Sequence, residues 1–250
     1  MSTVTDVDVP TSDGAADAVL AVPDRPGRHP GILLYMDAFG LRPRIGDMAA
    51  RFADAGYVVL APNVFHRSAR SPLIDHSALA DPANRQAIFA QVMPMITALT
   101  PDLAVADAGS WLAFLGDHDR VADGPVGTIG YCMGGRLALR TGAAAGDLVA
   151  AVASYHAGQV ATDAPDSVHL TFPQLQAEVY LAHADNDPSM DADQQERVAH
   201  ALQAAGVTFT TELYHGAGHG FTMADTAAYH AAAEQRHWDT ALALFDRTLR

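Results

Sequence analysis

The sequence predicts an α/β fold, a mostly parallel sheet with helices on both faces, and three observations predict it. Short apolar runs bounded by turn residues recur at Gly31–Met36, Tyr57–Ala61, Val126–Tyr131, Leu148–Tyr155 and Ala177–Ala182, as strands covered on both faces require. Segments with helical spacing lie between most of them, the alternation from which parallel sheets are built. Hydrophobic residues make up 49% of the 250-residue chain and charged ones 18%, enough for a real core and too apolar for disorder. With no internal repeat, low-complexity tract or interior linker, residues 1–250 are expected to form one domain.

In chain order, Val4, Asp6 and Asp8 alternate before the turn signal Thr11-Ser12-Asp13-Gly14, and Ala18–Val22 follows it, which predicts an opening β-hairpin. Gly31–Met36 is a central strand. Ile45, Met48, Ala49, Phe52 and Ala53 follow i, i+3, i+4, i+7, i+8, and Gly56 supplies the stop of that helix. Tyr57–Ala61 returns as a strand, so strand, helix and strand imply a right-handed crossover. Asn63 to Asp81 is irregular and too long for an ordinary connection, which predicts a binding mouth. A helical stretch then runs to about Ala98 with an interruption at Pro94, and Thr100-Pro101 opens another helix striped by Ala104, Ala108, Trp111 and Leu115.

Val126–Tyr131 is a strand led in by Gly124-Pro125, with a helix after it and a further strand at Leu148–Tyr155. Gly158 to Pro173 reads as loop, Ala177–Ala182 as strand. Asp191 with Gln194 forms a capping box for a helix that ends near Gly206. Val207–Tyr214 alternates as a strand nearer the sheet edge does. The last helix is expected to bury Trp238, Leu242, Phe245 and Leu249.

A formal charge of −14 makes nucleic acid and anionic membranes poor partners, since their phosphates would be repelled. No run approaches the ~20 apolar residues of a spanning helix. A single cysteine permits no internal disulfide and suits a reducing compartment. Met1–Asp6 has neither a basic segment nor an apolar run, so no secretory leader is expected. The expectation is a soluble, cytoplasmic protein, monomer or homodimer, acting on a small molecule.

That cysteine sits in Gly130-x-Cys132-x-Gly134, between a strand and a helix. The frame matches a nucleophile elbow, in which flanking glycines let strand and helix approach while a strained residue projects its reactive atom. Cysteine in place of the usual serine changes the activation chemistry, because a base must first take the thiol proton. A lone cysteine is more often a small buried hydrophobe, and only the glycine frame argues otherwise.

Reactive groups gather at the carboxyl ends of strands in a parallel sheet. Two more such ends carry what acyl transfer needs: Asp187 after the strand ending at Ala182, and His219 within Gly216-Ala217-Gly218-His219-Gly220-Phe221. Nucleophile, acid, histidine is the α/β-hydrolase order. His219 would move the proton and Asp187 hold the imidazole, with Asp185 the rival acid. Backbone N–H groups of Met133 and Ala38 would bind the oxyanion. His156, at another strand end, would line the pocket or simply pack. His215 and His219 share a zinc-pair spacing, but glycines argue against the helix it needs; Asp185 to Glu196 has calcium-loop spacing without the required glycine. No metal site is expected.

Gly130-Tyr131-Cys132-Met133-Gly134-Gly135, Ala217-Gly218-His219-Gly220-Phe221 and Asp37-Ala38-Phe39-Gly40 together resemble the dienelactone hydrolase family of α/β hydrolases, over nearly the whole chain from Gly31. The resemblance implies a Cys132–His219–Asp187 triad without metal or organic cofactor, acting on esters or lactones, and favours Asp187 over Asp185. It adds Tyr131, in the elbow motif, and Asp37, at the position of a glutamate that helps control the thiol. Founding members hold the substrate carboxylate with arginines, one of them where this chain has Met223. Arg42, Arg44, Arg67 and Arg85 are the candidates to replace it, each otherwise read as a solvated surface charge. A broad carboxylesterase or thioesterase, or a non-catalytic ligand binder of the same fold, are the alternatives.

Overall fold

The computed structural model describes residues 1–250, which group into two compact units. The first comprises Met1–Gly124 with Asp225–Ala227. Its strands β1 (Ser2–Thr11), β2 (Gly14–Pro23), β3 (Gly31–Tyr35) and β4 (Val58–Pro62) lie in the order β1-β2-β4-β3. The hairpin β1–β2 pairs antiparallel from Ser2↔Pro23 to Thr11↔Gly14, β2 continues antiparallel onto β4, and β3–β4 is parallel from Gly31↔Val58. The helices are α1 (Pro43–Asp54), α2 (Arg85–Ala98) and α3 (Pro101–Asp117).

Every residue of β3 and β4 is buried, the mark of strands covered on both faces. Helix α1 seals β2 and β4 with Ile45, Met48, Ala49, Phe52 and Ala53, all buried. A side chain such as Phe52 contributes about 1.5–3 kcal/mol by leaving water. Thr100 caps α3 by accepting the Leu103 N–H at 3.3 Å, and Trp111 of that helix meets the Tyr35 ring edge-on at 5.8 Å. Helix α2 runs through Pro94 without the expected interruption. Pro94 and Ala90, whose carbonyl loses its partner, are both exposed, so water can take the vacated bond.

The stretch from Asn63 to Asp81 is tied down at its start, and its Arg70, Ser71, Pro72 and His76 help to line a cavity in this unit. Buried Asn63 donates to Asp17 and to the Ala69 carbonyl and accepts the Phe65 N–H. A 3-10 turn at His76–Ala80 follows, and Ile74 and Leu79 pack with Ala38, Phe39, Ile88 and Val92.

The second unit, Pro125–Ala224 with Ala228–Arg250, is a parallel run β5-β6-β7-β8. Its elements are β5 (Val126–Tyr131), α4 (Met133–Ala145), β6 (Val149–Tyr155), β7 (Glu178–Ala184), α5 (Ala192–Ala204), β8 (Phe209–Tyr214) and α6 (Ala231–Leu249). The two-residue period of β5 divides two helices between its faces. Thr128 donates to the Ala138 carbonyl of α4, and a side chain at Gly130 would overlap the backbone of Gly134 there. Gly127 instead meets Phe245, and Tyr131 meets His237, both on α6. Helices thus cover both faces of this unit's sheet.

On α6 the buried stripe includes His237, Trp238, Ala241, Leu244 and Phe245, so Trp238 and Phe245 are buried as expected while Leu242 and Leu249 are half-buried at its margin. The polar His237 is drawn inside because the Tyr131 hydroxyl bonds its Nε2 at 2.8 Å. No single helix is long and apolar enough to cross a membrane.

Candidate active site

Cys132 joins β5 to α4 with φ 55° and ψ −120°, a left-handed backbone that costs a non-glycine residue on the order of 1–3 kcal/mol. Its surroundings hold it there. The Cys132 N–H donates to the Tyr155 carbonyl at 3.1 Å, its own carbonyl accepts from Gly135 at 3.1 Å, and the absent side chain at Gly130 admits the first turn of α4. The turn puts Sγ at the carboxyl end of β5 rather than inside the sheet, and Cys132 is partly exposed.

His219 lies in the loop between β8 and α6, Asp187 in the loop between β7 and α5. The His219 Nε2 stands 3.0 Å from Cys132 Sγ, and its Nδ1 stands 2.6 Å from Asp187 Oδ2. A sulfur, an imidazole and a carboxylate from three loops therefore form one continuous relay. The other Asp187 oxygen accepts the Ser189 hydroxyl at 2.6 Å and the Ser189 N–H at 2.9 Å, which fixes the carboxylate plane. Asp185 is spent elsewhere: its carboxylate accepts the Gly216 N–H at 2.8 Å, closing the start of the histidine loop.

Burial works against charge on His219, but the hydrogen bonds to Asp187 and then Cys132, with the charges behind them, raise it to about 10. Burial likewise works against the Asp187 carboxylate, yet His219 and Ser189 hold it below the ordinary value of 3.8. The acid is thus kept ionised and the imidazole kept protonatable beside the sulfur.

Behind His219 sits His156, wholly buried, with φ 41°. Its ring meets that of His219 at 5.4 Å and that of Phe221 at 4.8 Å, and its Nε2 bonds the Thr222 hydroxyl at 2.8 Å. Burial, then the charges of His219 and His237, push it well below 6.5 and keep it neutral. Of the two alternatives for His156, its complete burial favours packing over lining the pocket. Tyr131, in the elbow motif, is wholly buried: it stacks on Tyr155 at 6.0 Å and its hydroxyl bonds His237. Met223 is 1% exposed, a core residue two positions beyond Phe221.

Met133 is the first residue of α4, directly after Cys132, where backbone N–H groups lack an intrahelical acceptor. Ala38 and Asp37 belong to the first unit, in the loop from β3 to α1. Both Asp37 oxygens are held by the buried Arg42 fork at 2.7 and 2.9 Å, and one also accepts the Phe39 N–H. Arg42 turns its Nε to Asp225 at 2.6 Å. It is therefore an internal cation rather than a surface charge, and Arg67 is equally committed, bridging Asp13 and Asp107. Arg85 lies over the Phe89 ring. Asp13, His66 and Asp107 bring their ligand atoms within 4.8 Å of one another, but the Arg67 guanidinium already supplies the positive charge a metal ion would bring.

Sequence reasoning missed Ser189 and Thr222. Ser189 had a signal, a hydroxyl two residues after an aspartate, the spacing of a local side-chain turn. Thr222 had none, because its partner His156 is 66 residues away.

Residues 16–249 match the model of the dienelactone hydrolase family. A carboxymethylenebutenolidase of Rhodococcus opacus is 28% identical over 225 residues, covering 87% of this chain and 81% of its own. A dienelactone hydrolase-like promiscuous phosphotriesterase, P91, from metagenomic libraries superposes with TM-score 0.78 at 21% identity over 100% of this chain and 99% of its own. A dienelactone hydrolase from Anabaena variabilis superposes with TM-score 0.68 at 19% identity over 100% and 99%. At these identities the two structures speak for the fold.

Proposed function

This chain belongs to the dienelactone hydrolase family of α/β hydrolases and is a hydrolase of ester or lactone bonds; on that premise we propose that it works through a cysteinyl acyl-enzyme. The observation that carries the mechanism is the unbroken relay from Cys132 Sγ through His219 to Asp187, at 3.0 and 2.6 Å.

His219 Nε2 takes the thiol proton, and sulfur attacks the carbonyl carbon. The carbonyl electrons move onto oxygen, and the Met133 N–H donates a hydrogen bond to the resulting oxyanion; such a donor is typically worth about 3 kcal/mol of barrier. When the tetrahedral adduct collapses, the C–O bond breaks and the departing alkoxide takes the proton back from Nε2. A water molecule, deprotonated by the same nitrogen, then attacks the thioester, and the thiolate leaves to regain its proton. Asp187 stays ionised throughout, holding Nδ1–H in place and stabilising the imidazolium. A reducing cytoplasm suits an enzyme whose one thiol is its nucleophile.

Hydrolysis of p-nitrophenyl acetate and of a dienelactone tests the proposal. Cys132→Ala should lose activity by orders of magnitude, and a variant as fast as wild type would overturn it. The same relay serves carboxylic and thioesters, so a panel of the three bond types sets the breadth.

A further inference from the structure

His156 takes no part in the proton transfers above, yet it is fastened to all three arms of the relay. It follows β6 directly, wholly buried, with φ 41°. The peptide group that joins Tyr155 to His156 is bonded at both ends. Its carbonyl, on Tyr155, accepts the Cys132 N–H at 3.1 Å, and its N–H, on His156, donates to the Ala182 carbonyl at 2.8 Å. The first bond holds the nucleophile elbow. The second continues the β6–β7 ladder beyond Tyr155↔Ala182, on the strand that leads to Asp187. The side chain reaches the third arm. His219 lies in a connection running from Tyr214 to Ala231, long enough to need fastening. Asp185 secures its start through Gly216 and Ala217, at 2.8 Å each. Beyond His219, the Thr222 hydroxyl bonds His156 Nε2 at 2.8 Å, with both residues wholly buried. The His156 ring also stands edge-on to His219 at 5.4 Å and 62°.

Packing alone does not account for a histidine at this position. Phenylalanine would fill the same space without a buried polar atom, whereas Nδ1 of His156 has no hydrogen-bond partner. The left-handed backbone is a second cost, sustained only where the surrounding bonds over-determine it. What histidine supplies and phenylalanine cannot is the bond to Thr222. The titratable groups facing the ring are His219, His237, Asp187 and Tyr131. Burial first, and then His219 and His237, keep it neutral, so it braces His219 without opposing the charge that His219 must take up.

We propose that His156 is a positioning residue: carried on the end of β6 and bonded to Thr222, it sets the reach of His219 Nε2 toward Cys132 Sγ. This rests on the cysteinyl mechanism above. It makes the His156–Thr222 bond a determinant of kcat and not of substrate binding.

His156→Phe, Thr222→Val and the double variant test it, each measured for p-nitrophenyl acetate hydrolysis, thermal melting and iodoacetamide labelling of Cys132. Each single variant should lose about 10- to 100-fold in kcat with KM within about two-fold, the effect of a slightly misplaced base. The double variant, in which two apolar groups replace two polar ones, should melt within about 2 °C of wild type and stay as slow as the singles. Labelling should be slowed at pH 7 and match wild type at pH 10, where a thiol ionises without a base. A kcat for His156→Phe within about two-fold of wild type overturns the proposal. So does a kcat that recovers together with melting temperature in the double variant, or labelling slowed equally at both pH values, since each leaves packing as the only role. If His156→Phe does not fold, Thr222→Val decides by the same measures. Cys132→Ala assayed alongside separates the two failures: undiminished hydrolysis there removes the mechanism itself, whatever the His156 variants do.

Discussion

Cys132 Sγ and His219 Nε2 stand 3.0 Å apart although 87 residues of chain separate them. Nothing local brings these atoms together. The contact exists because β5 and β8 end at the same edge of one parallel run and each releases its loop there.

A sulfur paired with a base should be an accessible, reactive thiol. Iodoacetamide at neutral pH is expected to alkylate Cys132 within minutes, and His219→Ala to slow labelling at least about ten-fold. Peptide mass spectrometry over a time course measures both rates; identical rates would strip the contact of its chemical role.

Asp187→Asn removes the charge that holds His219 and offers an amide where an acceptor is needed. A loss of about 10⁴ in kcat on p-nitrophenyl acetate is expected, as when a triad acid is made neutral and the wrong tautomer results. Ser189→Ala, which leaves the carboxylate and removes one of its supports, should cost far less. Circular dichroism of both variants separates a chemical from a folding defect.

The relay also makes stability depend on pH. His219 is raised to about 10 in the folded chain against 6.5 ordinarily, so its stabilisation is complete below 6.5 and lost as pH rises toward 10. Asp187 is lowered, so its share is present above 3.8 and lost as pH falls through its depressed value. The melting-temperature gap between wild type and His219→Gln should accordingly shrink from pH 6.5 to 10. The gap to Asp187→Asn should shrink below pH 4. Differential scanning calorimetry across the range checks both signs.

Arg42 has a fully buried side chain held by Asp37 and Asp225. Asp37→Ala leaves that guanidinium half-compensated and should destabilise by about 3 kcal/mol, the low end for breaking a buried pair because Asp225 remains. A urea midpoint within error of wild type would show that water replaces the carboxylate without cost.

Two glycines make a paired test of the elbow. A methyl at Gly130 would overlap the backbone carbonyl of Gly134, which cannot swing aside, so Gly130→Ala should cost 3 kcal/mol or more, on the order of severe overpacking. Gly109, on the exposed side of α3, has open space around it, and Gly109→Ala should gain about 0.5–1 kcal/mol. Thermal melts of both should move in opposite directions.

What the sequence determined by itself is what repeats at short range. The buried strands Gly31–Tyr35 and Val126–Tyr131, the α1 stripe and the Thr100 cap are written in spacings of two to four residues, and burial or capping follows from the same spacing. The glycine frame of Cys132 is local too, since a left-handed turn and a close helix are steric demands on adjacent residues. Only the tertiary structure decided where polar side chains point. Asp185 and Asp187 are two residues apart and chemically alike, yet one closes a backbone turn and the other meets an imidazole. Tyr131 and His237 are drawn into the core because each is the other's hydrogen-bond partner across 106 residues, and Asp37 is claimed by an arginine five residues on. Hydrophobic burial is a one-body property that a residue's type announces, whereas a buried polar group is stable only with its partner, and the partner's position is set by the packing of the whole chain.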